Sequence, residues 1–460
     1  MKRLIFSITA FILTTSMYAQ EITGSWYGKI SVQSIEMRLV FNISASDTAF
    51  TATMDSPDQG VAGIPATSVF FINPMIKIVI ANAGIEYNGV FTGETILGTF
   101  RQGGMSVPMN LSRRAPEGPK RPQEPRKPYP YKSEEVTFLN QKDKIELAGT
   151  LTLPADGKPV AAVILVSGSG PQNRDEELVG HKPFLVISDY LTKRGIAVLR
   201  YDDRGVGKSK GKHSSATTFD FASDAYAAVE YLRNRAEMKG IKIGIAGHSE
   251  GGIIAPLVAE KDSSLGFIIL MAGPGVSGAQ IIISQQRLIG ERSGADKATL
   301  DEYESITRDL YRLIATEKDN PDIKVKLMDF FRKNAPEASE KQLEAQIAAV
   351  ANPWMITFVT HDPSETLAKL TLPVLAINGT NDLQVPYREN LGKIRSSLLK
   401  AHNNNEASFS KNVEIIEYDG LNHLFQHSET GLPAEYGKIE ETISPDVLEK
   451  MASWIISKSK

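Results

Sequence analysis

Ser249 lies in Gly247-His248-Ser249-Glu250-Gly251, with the apolar run "KIGIAG" leading into it and "GIIAPLVA" following. That pattern reads as a strand, a sharp turn and a helix, and the flanking glycines relieve clashes that a Cβ would cause on a strained turn. A serine so placed projects above a sheet edge. Its hydroxyl can attack a carbonyl carbon when a histidine accepts its proton and an acid fixes the tautomer of that histidine. In strand-turn-helix sites of this kind the partners come later in the chain, acid first and histidine second, each just past a strand.

Only seven histidines are available, so elimination is practical. His181 and His213 precede the serine, and His248 is inside the turn. His361 falls in a polar, helix-patterned stretch, and His402 sits in "AHNNNEAS". His423 stands three residues after the glycine that ends "VEIIEYDG" and is assigned the base, whereas His427 reads as a solvated helix residue. Asp382, in "LPVLAINGTNDLQVP", follows a strand and precedes a turn proline, which makes it the orienting acid. Its competing role is that of a turn aspartate capping backbone amides.

Attack on a carbonyl creates an oxyanion that needs prearranged N–H donors. The amide of Glu250 is one expected donor, and the amide of Ser169 is the other. Ser169 lies in the loop Ser167-Gly168-Ser169-Gly170 after "AVILV", which is otherwise a plain glycine-rich turn. Trp354 and Phe358, four apart on a helix edge, line an acyl pocket in one reading and form the core of a lid in the other.

Other chemistries fail on residue type or spacing. "RGVGKSKG" has Asp202 where a phosphate-binding loop needs glycine, and Gly168-Ser169-Gly170 has Asn173 where a dinucleotide loop needs its third. The "YDDRGVGKS" turn is better read as a brace made by Arg204 and its neighbouring acids. Zero cysteines exclude disulfides, thiolate metal sites and a cysteine nucleophile. No His/Asp/Glu cluster has metal spacing, so no metal and no cofactor are expected. A net charge of −3 offers no basic excess for nucleic acid.

These residues need a scaffold. Lys2 and Arg3 before an apolar Leu4 to Leu13, then "SMYAQ", read as an export signal at residues 1–19 cut after Ala19. This places the mature protein in the periplasm or outside the cell, without a membrane span. Residues 20–114 carry short β-rich segments broken by Gly, Pro, Asn and Asp, the rhythm of a small all-β barrel or sandwich. Trp26 stands where such barrels often plug one end, and this half contains no histidine. "RRAPEGPKRPQEPRKPYPY" holds six prolines and predicts an extended linker over residues 115–130. From residue 131 strands alternate with amphipathic helices, including a long one over "FDFASDAYAAVEYLRNRAEMKG". That order predicts a mostly parallel sheet covered on both faces, with a helical lid inserted over residues 277–370.

Six motifs occur in order over residues 131–460: "SGSGPQNRDEE", "LRYDDRGVGKS", "GHSEGG", "NPWMITFVTHDP", "INGTNDLQVP" and "GLNHLF". On these the chain resembles the α/β-hydrolase superfamily, and more narrowly the EstD-type bacterial carboxylesterases. The resemblance implies ester hydrolysis through an acyl-serine, with Ser249, Asp382 and His423 as triad and the Ser169 and Glu250 amides as oxyanion hole. It also implies small-molecule esters of short to medium acyl chains as substrates, and a smaller β-rich N-terminal part. One departure is Ser167, where many relatives have histidine. Peptide or thioester cleavage would use the same triad, and an inert scaffold with a ligand-binding β-module is the alternative of another class. The sequence is silent on oligomeric state.

Overall fold

Alternation with period two explains the first half of the chain. Strand β6 (Met75–Ile80) buries every second residue, and β3 (Phe50–Ser56) does the same over most of its length. The computed structural model describes residues 22–32, 35–46, 49–57, 61–115 and 120–459, so the expected export segment lies outside the described residues. The chain divides into two compact units, Met1–Lys120 with Leu178–Gly180, and Arg121–Glu177 with His181–Lys460.

The first unit is a closed antiparallel barrel. Its ring runs through β1 (Gly24–Val32), β2 (Ile35–Ala45), β3, β5 (Ser68–Ile72), β6, β7 (Ile85–Phe91) and β8 (Thr95–Gln102). The two-residue β10 (Leu111–Ser112) closes it by pairing with β1 on one side and β8 on the other. Strand β4 (Val61–Pro65) adds to β3 and β9 (Met105–Pro108) to β8. The interior is filled by side chains: Trp26, Phe41, Tyr87, Ile78, Ile80 and Ile96 are fully buried. Two glycines make room for the Tyr87 ring, since a Cβ on Gly98 would lie 2.3 Å from its hydroxyl and one on Gly89 3.0 Å. Trp26 donates its Nε1–H to the Ile22 carbonyl and carries the Arg113 guanidinium 3.7 Å from its ring centre.

The second unit begins ten residues earlier than proline content suggests. The guanidinium of Arg121 donates to the carbonyls of Ile439 at 2.7 Å and Gly437 at 2.9 Å. The Gln123 amide bonds Ile443 O and receives the Thr442 and Ile443 amides. Prolines preset an extended path at little entropic cost, and polar side chains between them satisfy a turn that would otherwise leave backbone groups unpaired.

An antiparallel pair, β11 (Lys132–Asn140) and β12 (Ile145–Leu153), opens this unit. Strands β13 (Ala161–Val166), β14 (Ile196–Tyr201), β15 (Lys242–His248), β16 (Phe267–Met271), β17 (Val374–Gly379) and β18 (Val413–Tyr418) follow. The order is β11-β12-β14-β13-β15-β16-β17-β18, and every neighbour beyond β14 is parallel. This is the mostly parallel sheet that the alternation of strands and helices predicts. Strand β13 is buried at all six positions because helices cover both faces, which is why it reads as an unbroken apolar run. On one face pack α1 (Pro183–Thr192) and the C-terminal helix, Pro445–Ser459, through Phe184, Leu191, Val447 and Ile455. On the other pack α2 (Thr218–Arg233) and α3 (Gly251–Lys261), through Val229, Ile253 and Leu257.

Helix α2 is shorter than its sequence pattern. Asn234 caps it, Arg235 turns extended, and Ala236–Met238 make a separate 3-10 turn. The predicted lid is present as α4 (Gly278–Arg292), α5 (Lys297–Glu317), α6 (Ile323–Asn334), α7 (Glu340–Val350), α8 (Pro353–Thr360) and α9 (Pro363–Leu367), all between β16 and β17.

His181, set aside as a base, is a structural residue. It is fully buried with Nδ1 facing the Thr442 hydroxyl and Nε2 facing the Tyr436 carbonyl, and a neutral ring satisfies both by accepting at Nδ1 and donating from Nε2. Burial pulls its pKa down to about 4. Unfolded chain therefore takes up a proton below about pH 6.5 that folded chain refuses until about pH 4, so stability is lost as pH falls through that window. Urea unfolding at about pH 7 and about pH 4.5 should differ by roughly 2–3 kcal/mol from this group, and the difference should shrink by that amount in His181→Gln.

Candidate active site

The loops that follow β13, β15, β17 and β18 all leave the carboxyl edge of the sheet, the edge at which open α/β sheets bind ligands. Between β15 and α3 the chain turns on Ser249, whose φ of 53° is in the left-handed region that a serine rarely adopts. Three glycines make this turn possible. An added Cβ would lie 1.9 Å from Gly251 O at Gly247, 2.2 Å from Val166 O at Gly251 and 2.5 Å from Gly273 Cα at Gly252. The Ser249 amide donates to Met271 O at 2.9 Å, which pins the turn to the end of β16.

Asp382 and His423 are brought together. His423 Nδ1 lies 2.8 Å from Asp382 Oδ2, with both residues buried. The other carboxylate oxygen, Oδ1, accepts the amides of Gln384 and Val385 at 2.8 and 2.9 Å. Orienting acid and turn cap are thus not alternatives: one carboxylate does both, an oxygen for each. The His423 loop is itself held by Asn422, whose Oδ1 accepts the amides of Leu424 and Gln426. The His423 ring lies 4.8 Å, centroid to centroid, from that of His248, the residue directly before Ser249. His427 is exposed, pairs with Glu441, and sits in an isolated bridge with Leu421 instead of a helix.

The loop after β13 approaches the turn closely, since a Cβ on Gly168 would come 3.0 Å from Ser249 Cβ. Three carboxylates hold this loop. Ser167 Oγ donates to Asp203 Oδ1 at 2.9 Å, the Gly168 amide donates to Glu176 Oε1 at 2.8 Å, and Ser169 lies close enough to the Glu250 carboxylate to favour its charge. Asp203 also receives the Gln172 amide, and burial pushes its carboxyl up to about 8. Behind them, Arg174 grips Asp202 at 2.8 Å and Arg204 grips Asp224 at 2.6 Å, so the "YDDRG" segment is a brace for the loop. The hydroxyl of Ser167 is what lets a serine serve there.

Glu250 enters through its amide and its side chain. As N-cap of α3 its amide has no intrahelical acceptor and is available at the helix terminus. Its carboxylate is 2% exposed and receives Thr218 Oγ1 at 2.6 Å and the Trp354 indole N–H at 2.9 Å. Burial raises its pKa. Trp354 and Phe358 stack at 5.1 Å with 14° between ring planes. Phe358 is buried against α4, where a Cβ on Gly278 would lie 2.2 Å from its carbonyl oxygen, which makes it lid core. Trp354 instead ties α8 to the residue after Ser249.

Two members of the site were not singled out from sequence, Glu176 and the ring of His248. Glu176 Oε1 lies 2.9 Å from His248 Nδ1, and His248 Nε2 lies 2.9 Å from the carbonyl oxygen of His423. Among the described residues no group of three or more His, Cys, Asp or Glu is arranged to hold a metal ion.

A protein-family model described as serine aminopeptidase, S33, matches residues 181–430, over half of the chain. Esterase EstD of Thermotoga maritima is 28% identical over 311 residues, which cover 67% of this chain and 65% of EstD. The match thus spans less than two thirds of that relative's own length. The uncharacterized protein YfhR of Escherichia coli is 31% identical over 129 residues, 27% of this chain and 41% of YfhR. Among solved structures, the Pyrococcus furiosus esterase Pf2001 superposes with a TM-score of 0.42 at 15% identity, over 71% of this chain and 90% of that one.

Proposed function

We propose, from the premise that the chain belongs to the serine aminopeptidase S33 family of α/β-hydrolases, that it is an exported serine hydrolase cleaving carboxylic esters of short to medium acyl chains. The observation that carries the reading is the Asp382–His423 pair, with the His423 ring beside the strained turn that presents Ser249. In this mechanism the Ser249 hydroxyl adds to the ester carbonyl as His423 Nε2 takes its proton, and Asp382 stabilises the imidazolium. The amides of Ser169 and Glu250 hold the oxyanion. Collapse expels the alcohol with the proton from His423, leaving an acyl-serine. Water, deprotonated by the same histidine, then releases the acid and restores Ser249. Export is supported by Lys2, Arg3, the apolar Leu4 to Leu13 and the small Ala19.

Peptide cleavage is the reading the family description favours. An aminopeptidase must hold a free ammonium group near the scissile bond, and the carboxylate nearest Ser249 in sequence is that of Glu250. It is buried and committed to Thr218 and Trp354, which supports an ester over an N-terminal peptide. Rates on nitrophenyl esters of increasing acyl length and on aminoacyl nitroanilides separate the two. Short and medium esters should be turned over fastest. Anilide turnover equal to that of the best ester would overturn the proposal.

A further inference from the structure

The imidazole of His248 is enclosed by oxygens that accept. Nδ1 faces Glu176 Oε1 and Nε2 faces the His423 carbonyl oxygen, each at 2.9 Å. A carbonyl oxygen cannot donate, and Oε1 already receives the Gly168 amide at 2.8 Å. A neutral ring has one N–H and would turn a lone pair toward one of these oxygens inside a buried site, where an unmade bond is costly. With Glu176 ionised, both ring nitrogens carry protons.

We propose that Glu176 and His248 form a permanently protonated carboxylate–imidazolium pair that positions the oxyanion loop and the His423 backbone against Ser249. The role rests on reading Ser249 and His423 as nucleophile and base. Glu176 and His248 are positioning residues: one end of the pair holds Gly168 N, the other His423 O, and the ring between them belongs to the residue before the nucleophile. Glu176 keeps a φ of 49° in order to aim its carboxylate there, a conformation that persists only where its surroundings impose it.

The groups around the ring favour its charge. Glu176 faces it from the loop after β13. Asp382 acts from the loop after β17, and His423, from the loop after β18, presents its carbonyl and its ring. Asp203 stands near Glu176. On the remaining side the Phe425 ring, 6.5 Å away, is apolar. Burial alone would strip the proton from His248, but the Glu176 carboxylate, the His423 carbonyl and Asp382 together outweigh it and hold the pKa above the usual histidine value.

The test is a proton count. In 15N-histidine-labelled full-length protein, one ring should show two exchange-protected N–H resonances from about pH 6 to about pH 9, both absent from His248→Gln. A single ring proton on His248, or loss of one within that range, would overturn the proposal. Glu176→Gln keeps an acceptor for Gly168 N and removes the charge, so His248 becomes neutral and cannot bond both oxygens. Its kcat should fall at least about tenfold while KM stays within about twofold. Unchanged kcat would overturn the positioning role. Turnover surviving in Ser249→Ala would overturn the reading of the site and this role with it. A lone proton on His248 in a protein silenced by Ser249→Ala would overturn this proposal alone.

Discussion

Ser249→Ala should lower kcat by at least about 10⁴-fold while leaving the fold intact. Nothing else in the site can replace the hydroxyl, because His423 and Asp382 act only on a proton that Ser249 supplies. The bonds that hold the turn are made by backbone, namely Ser249 N to Met271 O and Gly252 N to Ser249 O, and an alanine keeps both. Alanine at φ 53° is about as strained as serine, so the urea midpoint should hardly move. Fluorophosphonate labelling should vanish together with turnover. A variant within tenfold of wild-type rate would remove Ser249 from the mechanism.

Asp382→Asn should cost nearly as much, roughly 10³–10⁴ in kcat, through the tautomer of His423. The reason lies in the opposite oxygen. Because Oδ1 receives the Gln384 and Val385 amides, the asparagine oxygen must stay there, and its NH₂ must face His423 Nδ1. The ring then accepts at Nδ1 and carries its proton on Nε2, so it can no longer take one from serine. The two turn bonds survive, and stability should change little. A loss smaller than tenfold would show that Asp382 does not orient the base.

The sheet was readable because each buried strand is a short apolar run ended by glycine or a turn, as in "AAVILV" and "KIGIAG", and periodicity is a local property. The pairing of Asp382 with His423 was readable for a different reason. Few histidines compete, and only one stands just past a late strand. Glu176 and the His248 ring were not readable, since their meaning depends on loops from β13, β15 and β18 meeting at one edge. A glutamate in a run of acids looks like solvated charge until its loop is folded back. Composition misled at Arg121 to Tyr131. Its four prolines signal extension correctly, but extension does not decide whether a strand of polar side chains lies in water or against the carbonyls of Gly437, Ile439 and Ile443. The side chain of Glu250 was hidden similarly, because Thr218 and Trp354 reach it from a helix and a lid far along the chain.

The barrel shuts on a latch of two residues. Leu111 and Ser112 bond Gly28 and Tyr27 on one flank, and Ile96 and Thr95 on the other. Anyone trimming this protein should therefore cut beyond Ser112. A cut a few residues earlier deletes almost no mass, yet it bares two ragged borders of unpaired amides and carbonyls, and such borders make separate molecules stick to one another.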